Sequence, residues 1–300
     1  MSEAFGPEVT SIRSPRVKAA RQLAKRALRL RARSFLAEGP QAVGAALARG
    51  DVVSQLFITA AARTRHADLA NEAARQGAHV QAVSGEVMAE LAQTITPQGV
   101  LAVCRYVDIP LARLAASGPR LVAILANVRD PGNAGTVLRT ADAAGADGVI
   151  FSDASVDPYN SKCVRATAGS LFHLPLVTGV RVAQAAGAMR EAGLRILAAD
   201  GRAGRSLDGT GPGEPGEPGG PLGQPTAWLF GNEAWGLPAG LLALADDAVA
   251  VPIYGRAESL NLAAAAAVCL YASARAARAG PASRAGHGPP AAAGRVPREQ

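Results

Sequence analysis

The chain is predicted to be an α/β protein, an open parallel sheet preceded by a smaller α/β unit. Three observations predict it. Short apolar runs of strand length alternate with helical stretches along most of the sequence. A stretch punctuated by Pro and Gly at residues 108–119 interrupts the alternation, which then restarts. Hydrophobic residues make up 49% and charged residues 18% of the 300, a globular composition that suits about two domains of ~100–200 residues each.

Residues 14–35 read as one basic helix opened by Ser14 and Pro15, a suitable N-cap and first-turn pair. Residues 1–33 are therefore set apart as a basic N-terminal segment. Next come a helix at 40–49, a strand at 55–59, a helix at 67–76, a strand at 78–83, a helix at 85–92 and a strand at 99–106. They make a small α/β domain over residues 34–107, and residues 108–119 read as a linker. From Arg120, strands are predicted at 121–126, 148–151, 174–177, 194–199, 226–230 and 248–252. Helices fall at 135–144, 182–192, 238–244 and 260–278. Strands separated by helices in this way form a parallel sheet covered on both faces, so 120–279 is a second domain. Inside it, residues 209–225 are rich in Gly and Pro and read as a flexible insertion. Residues 280–300 read as a disordered tail.

Composition narrows the function. The formal net charge is +7, and the excess sits at the two ends. Nine of the 31 basic residues fall between residues 10 and 33 and five between 275 and 300, leaving 17 in the middle against 21 of the 24 acids. Basic ends on a mildly acidic body suit a polyanion, because neutralised phosphates release counterions. A solvated helix face and a disordered tail would carry the same charge run. The cysteines, Cys104, Cys163 and Cys269, are widely spaced and form no C-x-x-C, so neither a disulfide framework nor a zinc site is readable. His66, His79, His173 and His287 do not cluster with acids at ligand spacing, and no metal is expected. No apolar run reaches the roughly 18 residues that span a bilayer, and the start has no signal-peptide core. A cytoplasmic protein without membrane contact is expected.

Three polar loops at strand ends carry the chemistry. After the strand ending at Ala126, Asn127 to Asp130 form a loop, and a helix is expected to begin near Asn133 or Ala134 with Asn133 as its N-cap. Arg139 lies beyond it in an otherwise small, apolar helix, where a guanidinium pairs either with Asp142 three residues on or with a ligand. The second loop is Gly231-Asn232-Glu233-Ala234-Trp235-Gly236, where a strand-tip glycine allows close backbone approach. The third comes after Pro252 and Ile253 and ends at Ser259, a good N-cap for the last helix. Neither the dinucleotide nor the P-loop glycine pattern is present.

These residues resemble the three motifs of the SpoU (TrmH) family of RNA ribose 2′-O-methyltransferases, in the SPOUT class. Asn127, Asn133 and Arg139 match the first motif, Gly231, Asn232 and Glu233 the second, and Pro252, Ile253, Ser259, Leu260 and Asn261 the third. They occur in order over residues 127–261. Phe35-Leu36-Ala37-Glu38-Gly39 and the residues after Gly39 resemble, more loosely, the family's L30e-like substrate-binding domain. The resemblance implies an open parallel sheet whose C-terminal segment threads a trefoil knot. It implies S-adenosylmethionine held mainly by backbone groups near Gly231, Asn232, Ile253 and Leu260, with Leu262 close by.

By the same resemblance Arg139 would activate the 2′-hydroxyl, with Asn133, Glu233, Ser259 and Asn261 shaping its surroundings. Arg165 falls in a region that resembles the family's RNA-facing loop. With Arg16, Lys18 and Arg21 of the basic segment, it is a candidate for contact with RNA phosphate. A homodimer is implied, with motif residues of the two subunits approaching one another. Among substrates 23S rRNA is favoured over transfer RNA, by analogy with ribosomal RNA-binding proteins. A transfer RNA methyltransferase, a catalytically silent RNA or ribosome binder and a dinucleotide-dependent enzyme are the competing readings. Intact Arg139, Glu233 and Asn261 disfavour the silent binder, and the absent glycine fingerprint disfavours the dinucleotide enzyme.

Overall fold

The computed structural model describes residues 7–210 and 221–279. Where one N-terminal helix is expected, there are two, α1 (Pro15–Gln22) and α2 (Arg26–Ala32). The chain breaks at residues 23–25, where Leu23 turns into the core beside Val17 and Ala20. Helix α2 ends on Arg33 in the left-handed region (φ 47), and β1 (Ser34–Glu38) begins at once. Phe35 thus lies in a strand and not in the helix. The run Phe35-Leu36-Ala37 is buried on both faces of a sheet, and that tertiary burial overrides the helical reading.

The first sheet contains β1, β2 (Val53–Ile58), β3 (His79–Ala82) and β4 (Val100–Arg105) in the order β1-β4-β2-β3. Strand β4 is antiparallel to β1 and β2, while β2 and β3 are parallel. Helices α3 (Pro40–Arg49), α4 (Ala60–Arg65) and α5 (Ala67–Arg75) cover one face; α6 (Gly85–Leu91) and α1 cover the other. The basic segment therefore belongs to this unit's core.

Residues 108–119, read from sequence as a linker, carry α7 (Leu111–Ala116), whose Leu111 and Leu114 are buried. The Ile109 N–H donates to the carbonyl of Leu176 (2.8 Å), which ties this segment to the second sheet.

That sheet contains β5 (Leu121–Leu125), β6 (Gly148–Ser152), β7 (Leu176–Val180), β8 (Arg195–Ala199), β9 (Arg205–Ser206), β10 (Thr226–Phe230) and β11 (Asp247–Ala250). The order is β7-β6-β5-β10-β8-β11-β9, and all its pairings are parallel. Strand period sorts the side chains: Leu121, Ala123 and Leu125 face one side, Val122 and Ile124 the other. Helices α8 (Pro131–Ala144), α9 (Ser161–Ala166) and α12 (Leu262–Ala279) cover the first side. The second lies under α7, α10 (Val182–Glu191) and α11 (Ala239–Leu242). Strand β10 fills the place between β5 and β8, so chain order reverses there, and ligands of open parallel sheets sit beyond the carboxyl ends of such strands. Most of the Gly/Pro insertion and the whole tail, residues 211–220 and 280–300, lie outside the described residues. Leu222 lies inside the stretch read as a flexible insertion, yet it is buried in the core that α12 covers, so residues 221–225 belong to the packed domain.

Candidate active site at the carboxyl ends of β5 and β10

Past the last residue of β5, the Ala126 N–H donates to the carbonyl of Phe230 (2.8 Å), so the two central strands end level with each other. Asn127 then turns the chain in the left-handed region (φ 59), a conformation Asn tolerates better than most side chains. Its N–H is held by Ser152 Oγ (3.0 Å) and its carbonyl by Asn232 Nδ2 (2.8 Å). Asn232 is buried, and its Oδ1 accepts the Ala234 N–H (2.8 Å) while its backbone pairs with Gly236 in both directions. Both ends of this amide are engaged in fastening the loop. Gly231 is required here by contact: a Cβ would stand 2.5 Å from the Gly236 carbonyl carbon and 2.8 Å from Leu237 Cγ.

Helix α8 starts at Pro131, earlier than the sequence suggests, and its N-cap is Asp130, not Asn133. Asp130 Oδ1 accepts the Asn133 N–H (2.8 Å), a three-residue span that Pro at the first position accommodates. Lys162 of α9 donates to Asp130 Oδ2 (2.9 Å), and this hydrogen bond, with that from Asn133, holds the carboxyl below its ordinary range. Asn133 is released from capping. Its Nδ2 donates to Glu233 Oε1 (3.4 Å) and its Oδ1 accepts from Asn261 Nδ2 (3.0 Å). Glu233 also accepts the backbone N–H groups of Arg129 (3.4 Å) and Asp130 (3.2 Å) at the helix entrance, where a carboxylate is favoured. Residues from all three loops thus interlock: Asn133 from the first, Glu233 from the second, Asn261 from the third.

Arg139 and Ser259 make no hydrogen bond to this cluster among the described residues. Arg139 is exposed and makes no hydrogen bond or ion pair among the described residues. Its alternative partner Asp142 is occupied by His173 Nδ1 (2.8 Å). Six residues along a helix place Arg139 about 9 Å farther along the axis and about 120° round from Asn133. Ser259 does not cap the last helix. Asn261 does so, its Oδ1 accepting the Ala263 N–H (2.8 Å), because α12 begins only at Leu262.

Residues 252–260 form no hydrogen bonds to other backbone among the described residues, and Ile253 (37% exposed) and Leu260 (40%) stand in water. Free main-chain groups, exposed apolar side chains and a strand-tip glycine fit a heteroaromatic cofactor held by backbone. Leu262 is half-buried against the core.

Of the predicted phosphate ligands, Arg16 and Lys18 stand exposed on α1 with no side-chain partner among the described residues. Arg21 pairs with Glu90 (2.5 Å). Arg165 lies on the short helix α9 and approaches Glu38 (3.7 Å). Two residues not singled out from sequence are neighbours of the cluster in the chain. Trp235 is half exposed, and the Arg129 guanidinium lies 5.6 Å from its ring centroid. The signal was an aromatic residue inside an otherwise polar strand-end loop. Among the described residues no group of His, Cys, Asp and Glu is placed to hold a metal, and no helix is long and apolar enough to cross a membrane. Burial pushes the Cys163 thiol under α8 well up, which removes it as a nucleophile.

Comparison with known proteins identifies the family. Residues 120–271 match the SpoU rRNA Methylase family and residues 14–102 an MRM3-like substrate binding domain. The Bacillus subtilis 23S rRNA (guanosine(2553)-2′-O)-methyltransferase RlmP is 32% identical over 88% of this chain and 98% of its own length. The 23S rRNA (uridine(2479)-2′-O)-methyltransferase of Streptomyces viridochromogenes is 34% identical over 65% of this chain and 66% of its own. The AdoMet-bound rRNA methyltransferase from Sinorhizobium meliloti superposes with a TM-score of 0.78 at 32% identity, over 91% of this chain and 98% of that one. In sequence and in fold, through the domain that carries the three strand-end loops, this chain belongs to the SpoU rRNA Methylase family.

Proposed function

We propose that this chain methylates a ribose 2′-hydroxyl of 23S rRNA with S-adenosylmethionine. The observation that carries the reading is the interlocking of Asn133, Glu233 and Asn261 beyond the central strands of a parallel sheet. Bound S-adenosylmethionine supplies a methyl group on a sulfonium, so no metal or acidic activation is needed on that side. The backbone of residues 252–260, Ile253, Leu260 and Gly231 would hold it, and Leu262 would close the base of the cradle. Glu233 anchors the loop of Asn127 to Asp130, and this fixes Asn133 and the entrance of α8. A guanidinium is a cation and not a base, so Arg139 acts electrostatically, stabilising the developing alkoxide while the hydroxyl proton passes to water.

Arg139 is exposed and unpartnered among the described residues, which supports a homodimer in which it completes the partner's site. Substrate binding is assigned to the N-terminal unit, with Arg16 and Lys18 on phosphate and Arg21 and Arg165 at the margin. A 23S rRNA substrate places the protein in the cytoplasm. The test is transfer of labelled methyl to total RNA from cells lacking the protein. Label in the 23S fraction with wild type, absent with Arg139→Ala, is the expected result. Label confined to transfer RNA, or no label despite bound cofactor, would overturn the assignment.

A further inference from the structure

We propose that Trp235, steadied by Arg129, is the platform on which a base of the substrate RNA stacks. The inference rests on the methyltransferase reading above and concerns how the RNA is held. The chain has two tryptophans, and they differ in kind. Trp228 lies in the middle of β10, fully buried, its Nε1 donating to Ser273 Oγ (2.9 Å). Trp235 is 50% exposed on a polar loop, two residues from Glu233, where burial gives it no reason to be.

The loop holds its shape without the indole. Asn232 and Gly236 pair through both backbone groups, Gly231 is packed against Gly236, and Asn232 is tied to Asn127. The ring is therefore presented by a rigid turn, which suits a binding surface. One cation lies by the ring and a second by its loop. Arg129 lies near the ring, and its guanidinium has no hydrogen-bond partner among the described residues. Arg202, which reaches Asp200 only at 3.4 Å, has its Nη2 3.9 Å from the Cβ position of Gly236. An exposed indole with one guanidinium beside it and a second by its loop matches a nucleotide, with the base on the ring and phosphates near the cations. A base stacked two residues from Glu233 would orient its own or an adjacent ribose towards the cluster.

The buried Trp228 makes the test direct, because acrylamide quenching of the protein's fluorescence reports Trp235, and Trp235→Phe supplies the baseline. An oligoadenylate should shield Trp235, while an abasic ribose-phosphate chain of equal length should not. In methyl transfer to unmodified 23S rRNA, Trp235→Ala should raise KM for RNA about tenfold and leave KM for S-adenosylmethionine unchanged. Trp235→Phe should recover most of the loss. Equal shielding by the abasic chain would overturn the proposal, as would shielding by S-adenosylmethionine alone. Shielding that grows with protein concentration without RNA would assign Trp235 to a contact between two copies and also overturn it. If wild type transfers no methyl to RNA, the activity reading fails, while shielding by oligoadenylate still decides the platform.

Discussion

Arg139 stands on α8 with water around it and no partner among the described residues, so its presence owes nothing to local stability. Arg139→Ala is therefore expected to change unfolding free energy by no more than about 0.5 kcal/mol while abolishing methyl transfer. Urea titration beside a methyl-incorporation assay checks both halves, and a large stability loss would place the residue in the structure instead. Gly231 is the opposite case. A Cβ there meets backbone at 2.5 Å and 2.6 Å, atoms that cannot swing aside as a side-chain end could. Gly231→Ala should cost about 1–3 kcal/mol and displace the turn that carries Glu233. Its denaturation midpoint and its activity are expected to fall together. Asn133 and Asn232 show how residue type alone misleads. Both are amides in motif loops, yet one is free to join the site and the other is consumed by its own turn.

The entrance of α8 ties a helix to the site. Asp130 caps it and is held by Lys162 from α9, so α8 and α9 share one carboxylate. Close packing reinforces the pair, since a Cβ on Gly135 would meet the Cys163 carbonyl oxygen at 2.5 Å. Asp130→Ala should destabilise the fold by about 1 kcal/mol. The pH dependence has a definite sign. Because the folded carboxyl is depressed, its contribution is present above the unfolded value near ~3.9 and lost as pH falls through the folded one. Thermal melts of wild type and variant are thus expected to differ at neutral pH and to converge in acid. Persisting separation in acid would assign the effect to something other than the charge.

On α1, Val17 and Ala20 point into the core while Arg16 and Lys18 face water. Removing the basic segment would expose that core, so charge reversal is the cleaner probe. Arg16→Glu with Lys18→Glu should weaken RNA binding and flatten its salt dependence by about two counterions. An unchanged slope in a filter-binding titration would take α1 off the RNA.

The two halves of the molecule are joined by an aromatic and ionic seam. Phe35 and Tyr106 pack on Tyr159, with ring centroids 4.7 Å and 3.7 Å apart, and the Tyr159 hydroxyl donates to Asp108 (2.8 Å). Burial pushes the Tyr106 hydroxyl up to about 12, with the Asp157 charge adding to it, so this seam stays neutral on the tyrosine side through the physiological range. Arg29, 4% exposed, donates to Asp157 (2.6 Å), itself 9% exposed, and to the carbonyls of Leu23 and Ala24. It is one of the nine basic residues of the N-terminal run, and it serves the fold, not RNA. Arg29→Met leaves a buried carboxylate without its partner and should cost about 3–5 kcal/mol. Adding Asp157→Asn should recover part of that loss. Equal losses in the single and double variants, read from urea unfolding, would deny the pair its role in the seam.

Local pattern alone determined much of this protein. The strands of the second sheet apart from the two-residue edge strand β9, the polar loops at their carboxyl ends and the three motif segments are legible because apolar runs, turn residues and spacing are properties of short stretches. Strand β10 is legible to the residue, since Thr226 to Phe230 is an apolar run bounded by Pro and Gly. Tertiary structure decided what distance along the chain conceals. It placed Phe35 in a strand, because burial on both faces outweighs the helix propensity of its neighbours. It gave the cap of α8 to Asp130 and that of α12 to Asn261, because a cap depends on where the first turn closes against the sheet. It brought Asn133, Glu233 and Asn261 together across a hundred residues and more, and it turned Arg139 outward. Contacts of that separation are set by sheet order and packing, which no window of sequence contains.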